Sequence, residues 1–323
     1  MRRGVDSVVV TTLTDNYVDM LLPDGPSVTR AGLAHHFDPK CACPVGENGV
    51  AFHVDVEWGR YRYRALFDTG MTGPVLRHNA GALALDLGAI DHAVISHGHP
   101  DHYGGLLGFL NGRETPVPLS IHQDAFLPRY LRLASGQVAP FYNQDLDEGA
   151  IADAGGRTVF HRGPLELGPG LIATGEIPRE IDFEAPPSSI ATPNALIQIV
   201  AGEMVPDTVP DDQALVIEVG TDGIVVLCGC SHAGVVNTVR HAMKITDRQR
   251  VIGVFGGFHL GFPGIPESKT ERTIEALKEI GVELLCPMHC TGMRAMMAIA
   301  RAFPDQFLLN CTGSRVFIPT QYA

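Results

Sequence analysis

Residues 97 to 102 read His97-Gly98-His99-Pro100-Asp101-His102, four metal-capable side chains in six positions, directly after the apolar run Ala93-Val94-Ile95-Ser96. A run of this kind predicts a buried strand. Gly98 and Pro100 keep the turn after it out of a regular helix, which leaves the donors free to converge from different directions. One ion cannot readily use all of them. With His97 and His99 facing one cation and Asp101 and His102 the next, the spacing suits two cations about 3.5–4 Å apart, the arrangement that clamps a bridging hydroxide. Unrelated polar residues would have no packing reason to crowd this turn. A fold that uses them must carry further donors from distant strand ends to the same edge.

Three histidines meet that requirement. His232 follows the strand-like run Ile224 to Cys228, His259 follows Val251 to Phe255, and His289 follows Leu284 to Cys286, each at a turn with glycine close by. Sheets deliver side chains to a shared site at such strand ends. His232 and His289 read as ligands, while His259 is open between a third ligand and a substrate-facing acid or hydrogen-bond donor. Cys230 and Cys290 flank these positions, where a thiolate ligand competes with the plainer reading of a buried neighbour. Asp68 ends the strand Ala65 to Phe67 in Asp68-Thr69-Gly70; it is placed either to accept the second N–H of a ligand histidine or simply to cap a turn. Nitrogen and oxygen donors with no obligatory thiolate suit zinc, and also manganese or iron.

The 323 residues are enough for one large α/β domain with insertions or for two smaller ones. Strands are predicted at Ser7 to Thr12, Gly49 to Val56, Tyr61 to Phe67, Pro118 to His122 and Leu171 to Thr174, and the same pattern resumes from Ala214 to Ile318, with a hairpin at Gly220-Thr221-Asp222-Gly223. Helical spacing marks Val236, Val239 and Met243; Ile274, Leu277 and Ile280, with Gly281 as the stop; and Met296, Ala300 and Phe303. Met293, Met296 and Met297 read as a core stripe. Two strand-rich halves, each closed by helices, imply sheets packed face to face with helices outside. Residues 23–48 and 184–212, rich in Gly, Pro and small polar residues, read as insertions within a single domain spanning residues 1–323.

Composition excludes several partners. A net charge of −12 without a basic cluster argues against nucleic acid. No apolar run approaches the ~18 residues of a membrane span, and Val8-Val9-Val10 is too short for a secretory signal, so a cytoplasmic protein is expected. Seven cysteines, an odd count with five in or beside strand-like runs, read as reduced thiols. The expected partner is a small-molecule substrate, and homo-oligomerisation is left open.

Ser96-His97-Gly98-His99-Pro100-Asp101-His102 resembles the signature loop of the metallo-β-lactamase-fold superfamily. Thr12-Leu13-Thr14-Asp15-Asn16, Leu66-Phe67-Asp68-Thr69-Gly70, Gly229-Cys230-Ser231-His232-Ala233-Gly234, Gly256-Gly257-Phe258-His259-Leu260 and His289-Cys290-Thr291-Gly292 are similar to its branch named after the dihydropterin ribofuranosyl-aminobenzene phosphate synthase of methanopterin biosynthesis. The resemblance implies an α/β four-layer αββα sandwich of two mixed sheets, with a dinuclear site at one edge. It also implies His97, His99, Asp101, His102, His232 and His289 as the metal ligands. Where many members supply a bridging carboxylate, this chain has Cys230-Ser231-His232.

The leading expectation is a metal-dependent hydrolase of a small-molecule ester, lactone, or sulfur- or phosphorus-containing substrate. In it a hydroxide bridging two divalent ions, zinc first and manganese or iron as alternatives, attacks the electrophile. Asp101 orients the hydroxide and His259 protonates the leaving group. The second expectation is a pterin-linked transferase or synthase, with Arg129, Arg179 and Phe183 available for an aromatic heterocycle and an anion. The third is a metal-binding or sensing module without catalysis.

Overall fold

The apolar runs pair into two mixed sheets in a computed structural model that describes residues 4–141, 146–186, 189–191 and 195–319. One sheet runs, edge to edge, Val28–Thr29, Arg315–Pro319, Ser7–Thr14, Ala51–Trp58, Tyr61–Phe67, His92–Val94, Val117–Ile121 and Gly156–Phe160. The other runs Leu165–Gly168, Leu171–Ala173, Ala214–Val219, Gly223–Cys228, Arg250–Gly257 and Leu285–Met288. In both, antiparallel pairing gives way to parallel pairing, from Tyr61–Phe67 onward in the first and from Gly223–Cys228 onward in the second. Parallel strands point their C-terminal ends the same way, so the turns at those ends gather at one edge.

Alternation along each strand sets the layers. Phe67 packs between the sheets with Phe52, Leu215, Leu227 and Phe255, whereas its neighbour Leu66 faces outward among Leu76, Leu106 and Phe109. Ile224 and Val226 face the other helical layer, with Val236, Val239, Leu277 and Ile299. The result is the helix–sheet–sheet–helix order of the metallo-β-lactamase fold. It also explains the unbroken run Ile224 to Cys228, a strand buried on both faces.

The helices Val235–Thr246, Glu267–Ile280 and Gly292–Ala302 form where the spacing places them. Gly281 ends the second in the left-handed region, at φ 77°. The methionine stripe is only partly core. The buried face of the last helix is Ala295, Met296 and Ile299, so Met293 and Met297, one step round, are exposed. A further difference is a third sheet of short strands, Glu203–Pro206, Ala195–Val200, Tyr130–Arg132 and Val138–Pro140, which builds part of the segment 184–212 against the chain beyond the metal-capable loop. Part of that segment lies outside the described residues. The segment 23–48 adds the edge strand Val28–Thr29, paired with Arg315 and Val316. Among the described residues no helix is long and apolar enough to cross a membrane, and all seven cysteines are free thiols.

Candidate metal centre

Asp68, at φ 58°, turns its carboxylate under the loop that begins at Ser96. Its Oδ1 accepts the Ser96 N–H at 2.7 Å, and its Oδ2 accepts Ser96 Oγ–H and His102 Nδ1–H, both at 2.7 Å. His97 Nδ1–H in turn donates to Ser96 Oγ at 2.9 Å. In both imidazoles Nδ1 is therefore committed, and Nε2 is the atom left for a cation. Gly98 has no alternative, since a Cβ there would sit 2.1 Å from the Ala125 carbonyl oxygen. Its N–H donates to Asp211 Oδ2 at 2.7 Å and its carbonyl accepts from Arg129 Nη1 at 3.0 Å. Arg129 is itself buried and ion-paired with Asp207, at 2.7 Å, and with Asp211. The expectation that Pro100 excludes helix needs correcting. It opens a single turn, Pro100–Tyr103, because the first helical position needs no N–H and suits the fixed φ of proline. Asp101 and His102 ride on that turn.

The second sheet brings the remaining donors on three stitched turns. Gly257 N–H donates to the Gly229 carbonyl at 2.9 Å, Ser231 Oγ to the Gly257 carbonyl at 2.7 Å, and Phe258 N–H to Thr291 Oγ1 at 3.0 Å. Ser231, His259 and His289 have φ of 52°, 51° and 51°, conformations that cost about 1–3 kcal/mol each. With Asp68 they make up half of the eight left-handed non-glycine residues among those described. Backbone strain thus concentrates where the donors converge. Gly229 closes the contact between the sheets, since a Cβ on it would meet Ser96 Oγ at 2.1 Å.

The donor atoms of His97, His99 and His232 lie within 4.8 Å of one another, and so do those of Asp101, His102 and His289. Nε2 of His97, of His99 and of His232 is buried without a hydrogen-bond partner, and His289 Nε2 stands 3.3 Å from Asp101 Oδ2. Buried polar atoms left unpaired in this way are costly in a folded protein. Lone pairs converging on a common point are what divalent cations require, so the residues fit such a group.

The two triads differ electrostatically. Burial, reinforced by neighbouring imidazoles, holds His97 and His232 well below the usual histidine value, and burial with the nearby Arg129 does the same for His99. That triad offers neutral imidazoles. In the other, burial opposes charge on His102, but Asp68 and Asp101 outweigh it and push its pKa up to about 9. His289 is raised, against burial, by Asp101. Asp101, whose burial opposes ionisation, is nonetheless held well below the usual carboxylate range by His102 and His289. Cation binding there is coupled to proton release.

Every metal ligand the sequence nominates therefore meets at one edge. His259 lies beside the triads, its ring centroid 4.3 Å from that of His232 and 4.4 Å from that of Phe262, with Nδ1 buried and unpartnered. The expected substrate contacts are a correction. Arg129 is spent on Gly98 and two aspartates, Arg179 donates to the carbonyls of His232, Thr208 and Val209, and Phe183 lies under the Arg272 guanidinium at 4.4 Å. Sequence reasoning missed Asn16, whose Oδ1 accepts His289 Nδ1–H at 3.0 Å, although the motif containing it is visible. It also missed Phe141, 5.1 Å from the His99 ring, and Phe262. A cavity of about 830 Å³ beside Trp58, Tyr61 and Glu218 is lined by none of these donors.

The model of the metallo-beta-lactamase superfamily matches residues 62–179. The 7,8-dihydropterin-6-methyl-4-(beta-D-ribofuranosyl)-aminobenzene-5'-phosphate synthase of Methanocaldococcus jannaschii is 34% identical over 266 residues, 81% of this chain and 86% of that protein. An uncharacterized protein of the same organism is 29% identical over 74% of this chain and 83% of its own length. Among solved structures, a metal-dependent hydrolase of the β-lactamase superfamily superposes with a TM-score of 0.68 at 25% identity, covering 97% of this chain and 99% of that one. A metallo-β-lactamase fold protein from Bacillus subtilis superposes at 0.50 with 13% identity, covering 97% and 100%.

These similarities overturn the leading expectation. Hydrolysis is what the donor spacing predicts, yet the curated relative at 34% identity is a synthase. The physical reason is that a Lewis-acidic centre serves an attacking water or a departing oxyanion equally well. Donor geometry alone does not choose between them.

Proposed function

Because the chain belongs to the metallo-β-lactamase superfamily, in the branch of the dihydropterin ribofuranosyl-aminobenzene phosphate synthase, we propose that it is a metal-dependent synthase. It would join a pterin-methyl unit to an arylamine bearing a ribofuranosyl phosphate. The observation that carries this reading is the 34% identity extending over 86% of the synthase.

The bond to be made links the pterin 6-methylene carbon to the aminobenzene nitrogen. The amine lone pair forms the C–N bond as the C–O bond to a phosphate-ester leaving group breaks; the oxyanion departs with that electron pair, and the amine gives up one proton. His97, His99, Asp101, His102, His232 and His289 would hold divalent cations, zinc first with manganese or iron as alternatives, which when bound would supply Lewis acidity toward the departing oxyanion. In this reading His259 takes the amine proton; its Nδ1 has no hydrogen-bond partner of its own. Phe262, half exposed against the His259 ring, offers a ring face to an aromatic substrate. Arg129 acts through Gly98, fixing the loop.

Calorimetric titration of the metal-loaded protein checks the substrate class. Tighter binding of 4-(β-D-ribofuranosyl)aminobenzene 5'-phosphate than of phenyl phosphate is expected. Equal affinity for the two would count against the proposal.

A further inference from the structure

We propose that Cys230 supplies a thiolate that bridges the two triads, so that the centre contains sulfur as well as nitrogen and oxygen. This rests on the reading of the six residues as cation ligands and adds a donor to them. Cys230 Sγ lies within 4.8 Å of donor atoms of His97 and His232 on one side and of His102 and His289 on the other. Its separation from His102 Nε2 is 3.1 Å. A donor within reach of both triads occupies the position from which one atom can touch two cations.

The plainer account, a buried cysteine serving as a small hydrophobe, fits two other thiols and not this one. Cys228 and Cys286 pack inside the apolar clusters on either side of the second sheet. Cys230 is buried too but belongs to none of the clusters among the described residues; around its thiol stand the imidazoles of His97, His102, His232, His259 and His289 and the Cys290 thiol. Its backbone is also held in place. Gly229 before it is pressed against Ser96, and Ser231 after it is left-handed and tied to the Gly257 carbonyl. Cys290 is the competing thiol. It groups with Cys230 and His289, and its Sγ–H donates to the Cys230 carbonyl, 3.6 Å away. A thiolate in the centre favours zinc, cobalt or iron over manganese.

Cobalt substitution of the full-length protein tests this without relying on turnover. The expected result is a near-ultraviolet thiolate-to-cobalt charge-transfer band in the wild type, lost in Cys230→Ser and in Cys230→Asp, and retained in Cys290→Ser. X-ray absorption on the cobalt-loaded wild type should show sulfur in the metal shell, which keeps the proposal testable should a variant not fold. Cobalt bound without the band and without sulfur would overturn the bridging thiolate alone. A band that survives Cys230→Ser and vanishes in Cys290→Ser would overturn it in favour of the other thiol. Failure of the wild type to bind cobalt would overturn the donor set, and the bridge with it.

Discussion

Asp68 accepts three hydrogen bonds, from Ser96 N–H, Ser96 Oγ–H and His102 Nδ1–H, and through Ser96 Oγ it also reaches His97. Replacing it with asparagine puts an amide where a carboxylate enforces the His102 tautomer. Asp68→Asn is expected to keep the fold and to lose roughly 10- to 100-fold in metal affinity, read by competition with a chromophoric chelator; unchanged affinity would contradict the role. His259 carries a different expectation. His259→Ala should slow product formation by about 10²- to 10⁴-fold with metal content unchanged, and a loss of metal would instead make it a ligand. Asp68 is legible because a carboxylate ending a strand has few duties. Asn16 is not, because its partner His289 lies 273 residues away and only the closed sandwich brings them together.

Between single residues and the whole chain stand the elements that hold the loop. The Arg129 guanidinium spans Asp207, Asp211 and the Gly98 carbonyl, joining the third sheet's connections to the loop of donors. Arg129→Ala leaves two buried carboxylates without their cation, and a loss of about 3–5 kcal/mol is expected, measured by urea denaturation. A loss under about 1 kcal/mol would show that the clamp is not structural. This element is hard to read in advance. Tyr130–Arg132 and Val138–Pro140 are three residues each, with no buried side chain, so neither alternation nor apolar runs mark them. Pro100 misleads for the opposite reason, since a helix breaker in the interior is a helix starter at the first position.

At the scale of the molecule, the layers are legible because strands buried on both faces must read as unbroken apolar runs, and Ile224 to Cys228 does. The reaction is not legible, because hydrolysis and group transfer share one donor chemistry. The sandwich makes a prediction of its own through His53 and His92, on strands of the first sheet. Burial depresses both to about 4, against roughly 6.5 in an unfolded chain. Between those values the unfolded chain binds protons that the folded one refuses, so stability is lost as pH falls from about 6.5 toward about 4. Each histidine should cost on the order of 2 kcal/mol at pH 5, seen as a lower urea midpoint than at pH 7; equal midpoints would contradict the burial account. The most direct test of the function is mass spectrometry of the metal-loaded protein incubated with a dihydropterin bearing a 6-methyl phosphate ester and with 4-(β-D-ribofuranosyl)aminobenzene 5'-phosphate. The predicted result is the coupled pterin-methyl arylamine, formed only with protein and abolished by chelator, whereas release of the hydroxymethyl pterin with no coupled product under saturating amine would contradict it.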